Sequence, residues 1–201
     1  AAVLAAMLLP APPAQAATYV FTCDATGYRS GACGGDLGAS AVFTAPGGPA
    51  VTVTAGSAGI LNDGLATLTQ NGNGLGVNGR FDINPGQIDG FPVGSSEFVT
   101  FSFAWAVNLL NITFFNVDLN DQFDYSVNGG AFVNNRTIGT RVVPHELALQ
   151  SVRTLVIRAS GTPASRSSAC ARFAAAPRSS PASDCSFAAA RKPATPQKSS
   201  Q

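Results

Sequence analysis

Charged side chains are scarce in this chain and unevenly distributed. Lysine, arginine, aspartate and glutamate make up only 11% of its 201 residues, less than half of the usual share of about a quarter. Residues 1–160 have six arginines and ten acidic residues, a formal charge of −4, whereas residues 161–201 have six basic residues and one acidic residue, +5. Because nucleic-acid-binding domains present a basic surface, the acidic first part argues against nucleic acid as its partner.

The residues that most often perform catalysis are also few. His145 is the only histidine, and it stands in Val143-Pro144-His145-Glu146, which we expect to be a turn after a strand. No serine lies in a nucleophile elbow of the Gly-x-Ser-x-Gly type. The sequence therefore predicts no catalytic residues and a protein that is not an enzyme, with His145 as a loop residue.

The apolar run at the start of the chain, Ala1–Leu9, is too short to cross a bilayer as a resident helix. It leads through three prolines into Ala14-Gln15-Ala16, and an apolar run that ends in Ala-x-Ala is typical of a secretory signal peptide. The prolines disfavour the alternative, a buried core helix. No basic segment precedes the run, so we interpret residues 1–16 as a signal peptide truncated at its start. Signal peptidase would cleave after Ala16 and the protein would be exported.

Export changes the interpretation of the cysteines. Cys23 and Cys33 lie ten residues apart around a glycine-containing turn, and in an oxidising compartment that spacing suits a local disulfide. No second cysteine pair or nearby histidine completes a metal site. We expect a Cys23–Cys33 disulfide that stabilises the fold by about 2–3 kcal/mol.

The mature chain is rich in turn and strand formers, with 21 glycines and 13 phenylalanines. Short runs with a period of two, separated by glycine, proline and asparagine, predict strands joined by tight turns. The candidate strands are Tyr19–Thr22, Ala41–Thr44, Val51–Thr54, Phe98–Val107, Leu110–Phe114, Phe123–Val127, Ala131–Val133, Thr137–Val143 and Val152–Ile157. We predict an all-β fold, an antiparallel, jelly-roll-like β-sandwich over residues 17–160.

The clearest strand is Phe98–Val107, in which Phe101, Phe103 and Trp105 alternate with smaller residues. This pattern predicts that all three aromatic side chains face the core. Asn128-Gly129-Gly130 is a strong hairpin signal between two of the later strands. Glu146–Gln150 could form a single helical turn.

Two groups of residues are candidates for binding. Asp118, Asn120, Asp121 and Asp124 form the densest cluster of oxygen ligands, of the kind that Ca²⁺ takes. The EF-hand pattern is incomplete, however, and Asp and Asn also mark turns in hairpins. Exposed aromatic rings can stack on sugars; Tyr28, inside the cysteine loop, is the better candidate, because Trp105 is predicted to lie in the core.

The order of several short motifs resembles a known family. These motifs are Gly74–Val77, Phe81–Asn84, Gln87–Asp89, Ser96–Phe103, Ile112–Phe114 and Asn120–Gly130. Over residues 60–160 the chain is similar to the exported β-sandwich proteins of Gram-negative bacteria that carry a PEP-CTERM sorting signal. The resemblance implies a non-catalytic protein of the cell envelope or extracellular matrix that associates with exopolysaccharide and, where the sorting signal is present, is processed by an exosortase. The alternative is a carbohydrate-binding module, with or without Ca²⁺.

Residues 161–201 depart from the family pattern. They contain no Val-Pro-Glu-Pro motif and no valine, isoleucine or leucine, and 31 of the 41 residues are Ala, Ser, Pro, Arg or Lys. One interpretation is a disordered basic tail. The other is that the coding DNA is read out of frame here, so that the sorting signal is lost. In both cases we expect residues 161–201 to lie outside the folded domain.

The disulfide gives a direct test. Protein expressed with export to the periplasm should yield, in a non-reduced digest, one linked species that contains the peptides of Cys23 and Cys33. Free thiols at both positions would contradict the prediction, and a reduced digest of the same sample is the control.

Overall fold

The computed structural model describes residues 17–22, 35–59, 66–79, 86–88, 95–115, 121–138, 144–160 and 169–177. Every regular element in these ranges is a β-strand. None of the described ranges contains a helix that could span a membrane. The fold is therefore all-β, as the sequence predicted, and all of the named strand pairs are antiparallel.

Eleven strands follow one another along the described chain. They are β1 (Ala17–Val20), β2 (Gly35–Asp36), β3 (Ser40–Phe43), β4 (Val51–Gly59), β5 (Thr67–Asn71), β6 (Gly74–Asn78), β7 (Ser95–Phe115), β8 (Gln122–Val127), β9 (Val133–Thr137), β10 (Pro144–Ala159) and β11 (Ala169–Pro177).

The strands form two layers that share β7 and β10. The first half of β7 pairs with β4 on one side and with the end of β10 on the other, and β3, β8 and β9 extend this layer. The second half of β7 pairs with β11 and with the start of β10, and β1, β6, β5 and β2 extend that layer through β11. The result is a β-sandwich; its jelly-roll connectivity stays a prediction.

Aromatic side chains from the two layers meet in the core. Phe21, just after β1, packs edge-on against Phe43 of β3 at 5.1 Å between ring centroids and lies 5.6 Å from Phe101 of β7. Tyr19 of β1 packs against Phe103 at 6.0 Å. All five rings are buried, so most of the predicted aromatic core is confirmed.

Irregularities in β10 let the long strands turn from one layer into the other. The β7–β10 register shifts three times between Glu146 and Thr154, and Ala148 and Ser151 have positive φ angles of 48° and 54°. Such bulges bend a strand and raise its local twist. Residues 146–150 therefore belong to the bulged strand β10 and the expected helical turn is wrong, because pairing with β7 overrides local preference.

The hairpin between β8 and β9 is confirmed. Asn128 and Gly129 both have positive φ, 51° and 73°, and Gly130 N donates to Val127 O at 2.9 Å, which is a type I′ turn. The Asn128 side chain also reaches the bulge of β10. Its Oδ1 accepts from Arg153 N and Thr154 N at 2.7 and 3.0 Å, and its Nδ2 donates to Ser151 O at 3.0 Å.

The expectation that residues from 161 onward lie outside the folded domain is wrong for Ala169–Pro177. This segment is β11, which pairs along most of its length with β7 and with β1, and Ala175 is buried. The expectation considered only side-chain burial, whereas backbone hydrogen bonds to the strands on either side hold a central strand in place. Residues 161–168 and 178–201, like the expected signal peptide at 1–16, lie outside the described residues; the out-of-frame interpretation concerns the DNA and stays a prediction.

Two substitutions on β7 test the facing of this strand. Phe103→Ala should lower the free energy of unfolding by about 3–5 kcal/mol, because it removes a buried ring from between the layers. Trp105→Ala, two residues away, should change the free energy of unfolding by less than about 1 kcal/mol, because half of this residue is exposed. Urea unfolding of both variants measures the difference; similar losses would contradict the assignment.

Candidate functional site

The outer side of the first layer carries hydroxyl groups in place of charges. The strands alternate, so valine, phenylalanine and leucine face the core while threonine and serine face out. We call this surface the hydroxyl face. It is formed by five residues on three neighbouring strands: Thr52, Thr54, Thr100, Ser102 and Thr154.

The register aligns these side chains into rows across the strands. Thr52 of β4 is the partner of Ser102 of β7, which is the partner of Thr154 of β10. The next row joins Thr54 to Thr100 in the same way. Neighbouring strands lie about 4.8 Å apart, and successive outward residues of one strand are about 6.7 Å apart. On β10 the partner of Thr100 is Val156, so the face is a grid of hydroxyl groups, which both donate and accept hydrogen bonds, with a valine at one corner.

Trp105 follows this grid along β7, three residues after Ser102, and 50% of its surface is exposed. The prediction that it faces the core is wrong. Pairing of β7 with β4 ends at Phe103 and pairing with β11 begins at Val107, while the β10 partners jump from Ser102 to Val107. Because Trp105 lies in the gap between these ladders, at the corner between the layers, the alternation that would bury it is interrupted.

An arginine contacts the backbone of the residue before Trp105. Arg153 is exposed, and its Nη1 donates to the backbone oxygen of Ala104 at 3.1 Å. That bond satisfies a carbonyl that the broken ladder exposes. Within the described part of the chain Arg153 has no ion-pair partner, so its remaining N–H groups are available for a ligand.

The other end of the hydroxyl face is aromatic and contains an ion pair. The Phe98 ring lies over Gly56, where an added Cβ would come within 2.3 Å of the ring. Across the strands, Arg158 packs on the Phe132 ring at 3.9 Å from its centroid. Its Nε and Nη2 both donate to Asp124 Oδ2 at 3.0 Å. The regular part of the face therefore runs from Phe98 to Ser102, four residues along β7, or about 13 Å.

The predicted calcium cluster is only partly described. Asp118 and Asn120 lie outside the described residues. Asp121 is buried. The Asp124 carboxylate is also buried and is paired with Arg158, so its charge is already balanced without a metal cation. Among the described residues no three His, Cys, Asp or Glu side chains are placed to share a metal ion. Asp124 thus serves an ion pair on the sheet.

Three other predicted residues, Cys23, Cys33 and Tyr28, also lie outside the described residues, so the disulfide and the Tyr28 platform stay predictions. Two features of the site were missed from the sequence. The exposure of Trp105 depends on where the ladders of three partners end, which no local pattern contains. The grid could have been found, because Thr52-Val53-Thr54 and Thr100-Phe101-Ser102 both place hydroxyls at a spacing of two.

Comparison of the chain with protein-family models, with curated proteins and with solved structures finds no match.

His145 does not lie in a turn as expected, because β10 begins at Pro144 and includes it. Its ring packs against Phe114 at 5.8 Å and Phe123 at 5.9 Å, and its Nε2 is buried without a hydrogen-bond partner among the described residues. Burial, and secondarily the charge of Arg136, lower the pKa of His145. The histidine acts here as a neutral aromatic side chain at the edge of the core.

This environment makes stability depend on pH. The unfolded chain protonates His145 below its ordinary pKa of 6.5, whereas the folded protein resists protonation, so stability is lost as the pH falls from 6.5 through the folded pKa. His145→Phe should remove this part of the loss and keep the aromatic packing. Urea unfolding of both proteins at about pH 7.5, 6.5 and 5.5 measures it; an equal loss in both would contradict the prediction.

Proposed function

We propose that this chain is a non-catalytic exported protein that binds polysaccharide on its hydroxyl face, with Trp105 as the aromatic platform. The observation that carries the proposal is that β7, the strand at the centre of an uncharged group of hydroxyls, continues directly into the exposed Trp105. A sugar ring offers an apolar face and a rim of hydroxyls. An exposed indole matches the apolar face, and hydroxyl groups match the rim.

The scarcity of charge supports a largely neutral polymer. The five residues of the hydroxyl face are uncharged, and the exposed cation near the grid is Arg153, beside Trp105. Arg158 at the far end is neutralised by Asp124. A chain of sugar rings laid along β7 would thus meet an indole and a guanidinium at one end and hydroxyls beyond them. The bacterial cell envelope or extracellular matrix, rich in exopolysaccharide, is the setting that we propose.

The proposal includes the absence of catalysis. A hydrolase of polysaccharides uses a pair of carboxylates that flank the bond to be cleaved. On the described part of this face the carboxylate is that of Asp124, which is bound to Arg158 and buried. The face is therefore suited to hold a polymer and lacks the two groups that would cut it.

Binding can be measured by affinity electrophoresis in gels that contain soluble neutral polysaccharides. A gel that contains alginate, a polymer of uronates, tests whether the protein also binds an acidic polysaccharide. We expect retardation in at least one neutral gel, and Trp105→Ala should weaken the association by at least about tenfold, as for a tryptophan at the centre of an interface. Leu110→Ala is the matched control, because Leu110 is an exposed apolar residue of the same strand in the other layer.

Three outcomes would overturn the proposal. One is migration unchanged in every gel. Another is retardation that Trp105→Ala and Leu110→Ala reduce equally, which would indicate an unspecific apolar contact. The third is release of reducing sugar ends during incubation, which would show turnover and remove the non-catalytic part.

A further inference from the structure

A polar cleft of about 300 Å³ opens at the other end of the fold, between β2, β5, β6 and residues 86–88. Its volume is at the lower end of the range for small-molecule sites. The described residues of its lining contribute one carboxylate, one hydroxyl and three amides, and no apolar side chain is among them. None of these residues belongs to the hydroxyl face, so the cleft is a separate candidate site.

The cleft exists because two glycines allow the backbone to cross over β6. A Cβ on Gly76 would lie 2.1 Å from the carbonyl carbon and oxygen of Gly86, so only glycine permits this crossing. Val77 N then donates to Gln87 O at 2.8 Å, and Gly86 N donates to Asn78 Oδ1 at 2.8 Å. Gly86 has a φ of +88°, a conformation that favours glycine.

The bound backbone groups determine how the amides are oriented. Asn78 Oδ1 accepts from Gly86 N, and Asn71 Oδ1 accepts from Asn73 N at 2.8 Å. Each amide therefore keeps its NH₂ group for other partners. A Cβ added to Gly86 would lie 3.0 Å from Asn71 Nδ2 and 3.5 Å from Thr69 Oγ1. Asp36 is exposed at the mouth, and its Oδ1 accepts from Gly38 N at 2.7 Å, which leaves Oδ2 as an acceptor.

Thr69 is the independent indication of a ligand. Its Oγ1 is buried and has no hydrogen-bond partner among the described residues. A buried hydroxyl without a partner destabilises the protein unless water or a ligand satisfies it. Because Thr69 is one of the residues that line the cleft, a bound ligand would supply the partner that its hydroxyl lacks in the free protein.

We propose that this cleft binds a single neutral sugar ring through its hydroxyl groups. Amide N–H donors, a carboxylate acceptor and a hydroxyl that does both complement vicinal hydroxyls, each of which donates and accepts. A cation does not fit, because one carboxylate lines the cleft and both asparagine oxygens already accept from backbone N–H groups. An anion does not fit, because Asp36 would repel it and no arginine or lysine is among the described residues of the lining.

The test uses the full chain and saturation-transfer NMR with the methyl glycosides of glucose, galactose and mannose, with glucuronate and with Ca²⁺ in separate samples. At least one neutral glycoside should bind saturably. Thr69→Val should weaken this binding by about tenfold or more while the Tm stays equal or rises, since the hydroxyl that lacks a partner is gone. Asp36→Asn, which keeps the acceptor for Gly38 N, should weaken it as well. Thr67→Val, on the same strand and side but outside the cleft, is the control and should bind as the unmodified chain does.

The other outcomes overturn the proposal. Absence of saturable binding by all three glycosides would do so, and so would binding that both Thr69→Val and Asp36→Asn leave unchanged. Glucuronate binding as tightly as the neutral glycosides would contradict the assigned charge. A Tm increase with Ca²⁺ that Asp36→Asn abolishes would show a cation site instead. Because Trp105→Ala tests the hydroxyl face and leaves this cleft intact, the two proposals can fail separately.

Discussion

The pairing of β7 with β10 through both layers is the constraint on which the rest of the structure depends. Each strand contributes to two layers, so the ladder between them must break at the corner where the layers meet. The backbone groups that this break releases from the ladder lie at the surface or are half-buried, and side chains bind several of them. Asn128 supplies three hydrogen bonds there, and Asn108 Oδ1 accepts from Ser151 N at 3.1 Å. Asn108, on β7, and Asn128, directly after β8, thus fix the backbone geometry of β10 at the corner.

The corner also determines what the surface presents. Released from the ladder, Trp105 turns out of the core, and Arg153 is drawn toward the carbonyl of Ala104. Beyond the corner, the regular ladder of β4, β7 and β10 resumes and spaces the hydroxyls evenly. In the binding surface that we propose, irregular backbone therefore supplies the exposed Trp105 and regular backbone supplies the grid. A surface with few charges keeps its hydroxyls weakly hydrated compared with ions, so exchanging water for sugar hydroxyls costs little.

The polar cleft follows from close backbone approach. Gly76 and Gly86 allow residues 86–88 to lie on β6, and the missing side chain of Gly86 leaves space between Asn71 and Thr69. A larger residue at either position would close the cleft or displace the segment. The glycines that make the chain rich in turns therefore also create this polar cleft, since glycine permits backbone to approach backbone.

Much of the fold could be predicted from local pattern. The alternation in β3, β4 and β8 and the Asn128-Gly129 turn are short-range signals, and each was found close to its true position. The inward position of Phe101 and Phe103 followed from the same period of two. Trp105, His145 and β11 could not be found in this way. Their environments depend on where partner strands begin and end, and a nine-residue segment rich in alanine carries no pattern of its own.

By itself, the sequence determined an all-β chain, the alternation of apolar and hydroxyl side chains along the strands, and the low charge of the surface, because these properties depend only on residue type and on a period of two. The tertiary structure decided that β7 and β10 pass through both layers, that β11 completes the second layer, that Trp105 is exposed and that Thr69 faces a cleft. The reason is that backbone pairing over long sequence separations ends wherever its partners end, and no single segment specifies that position.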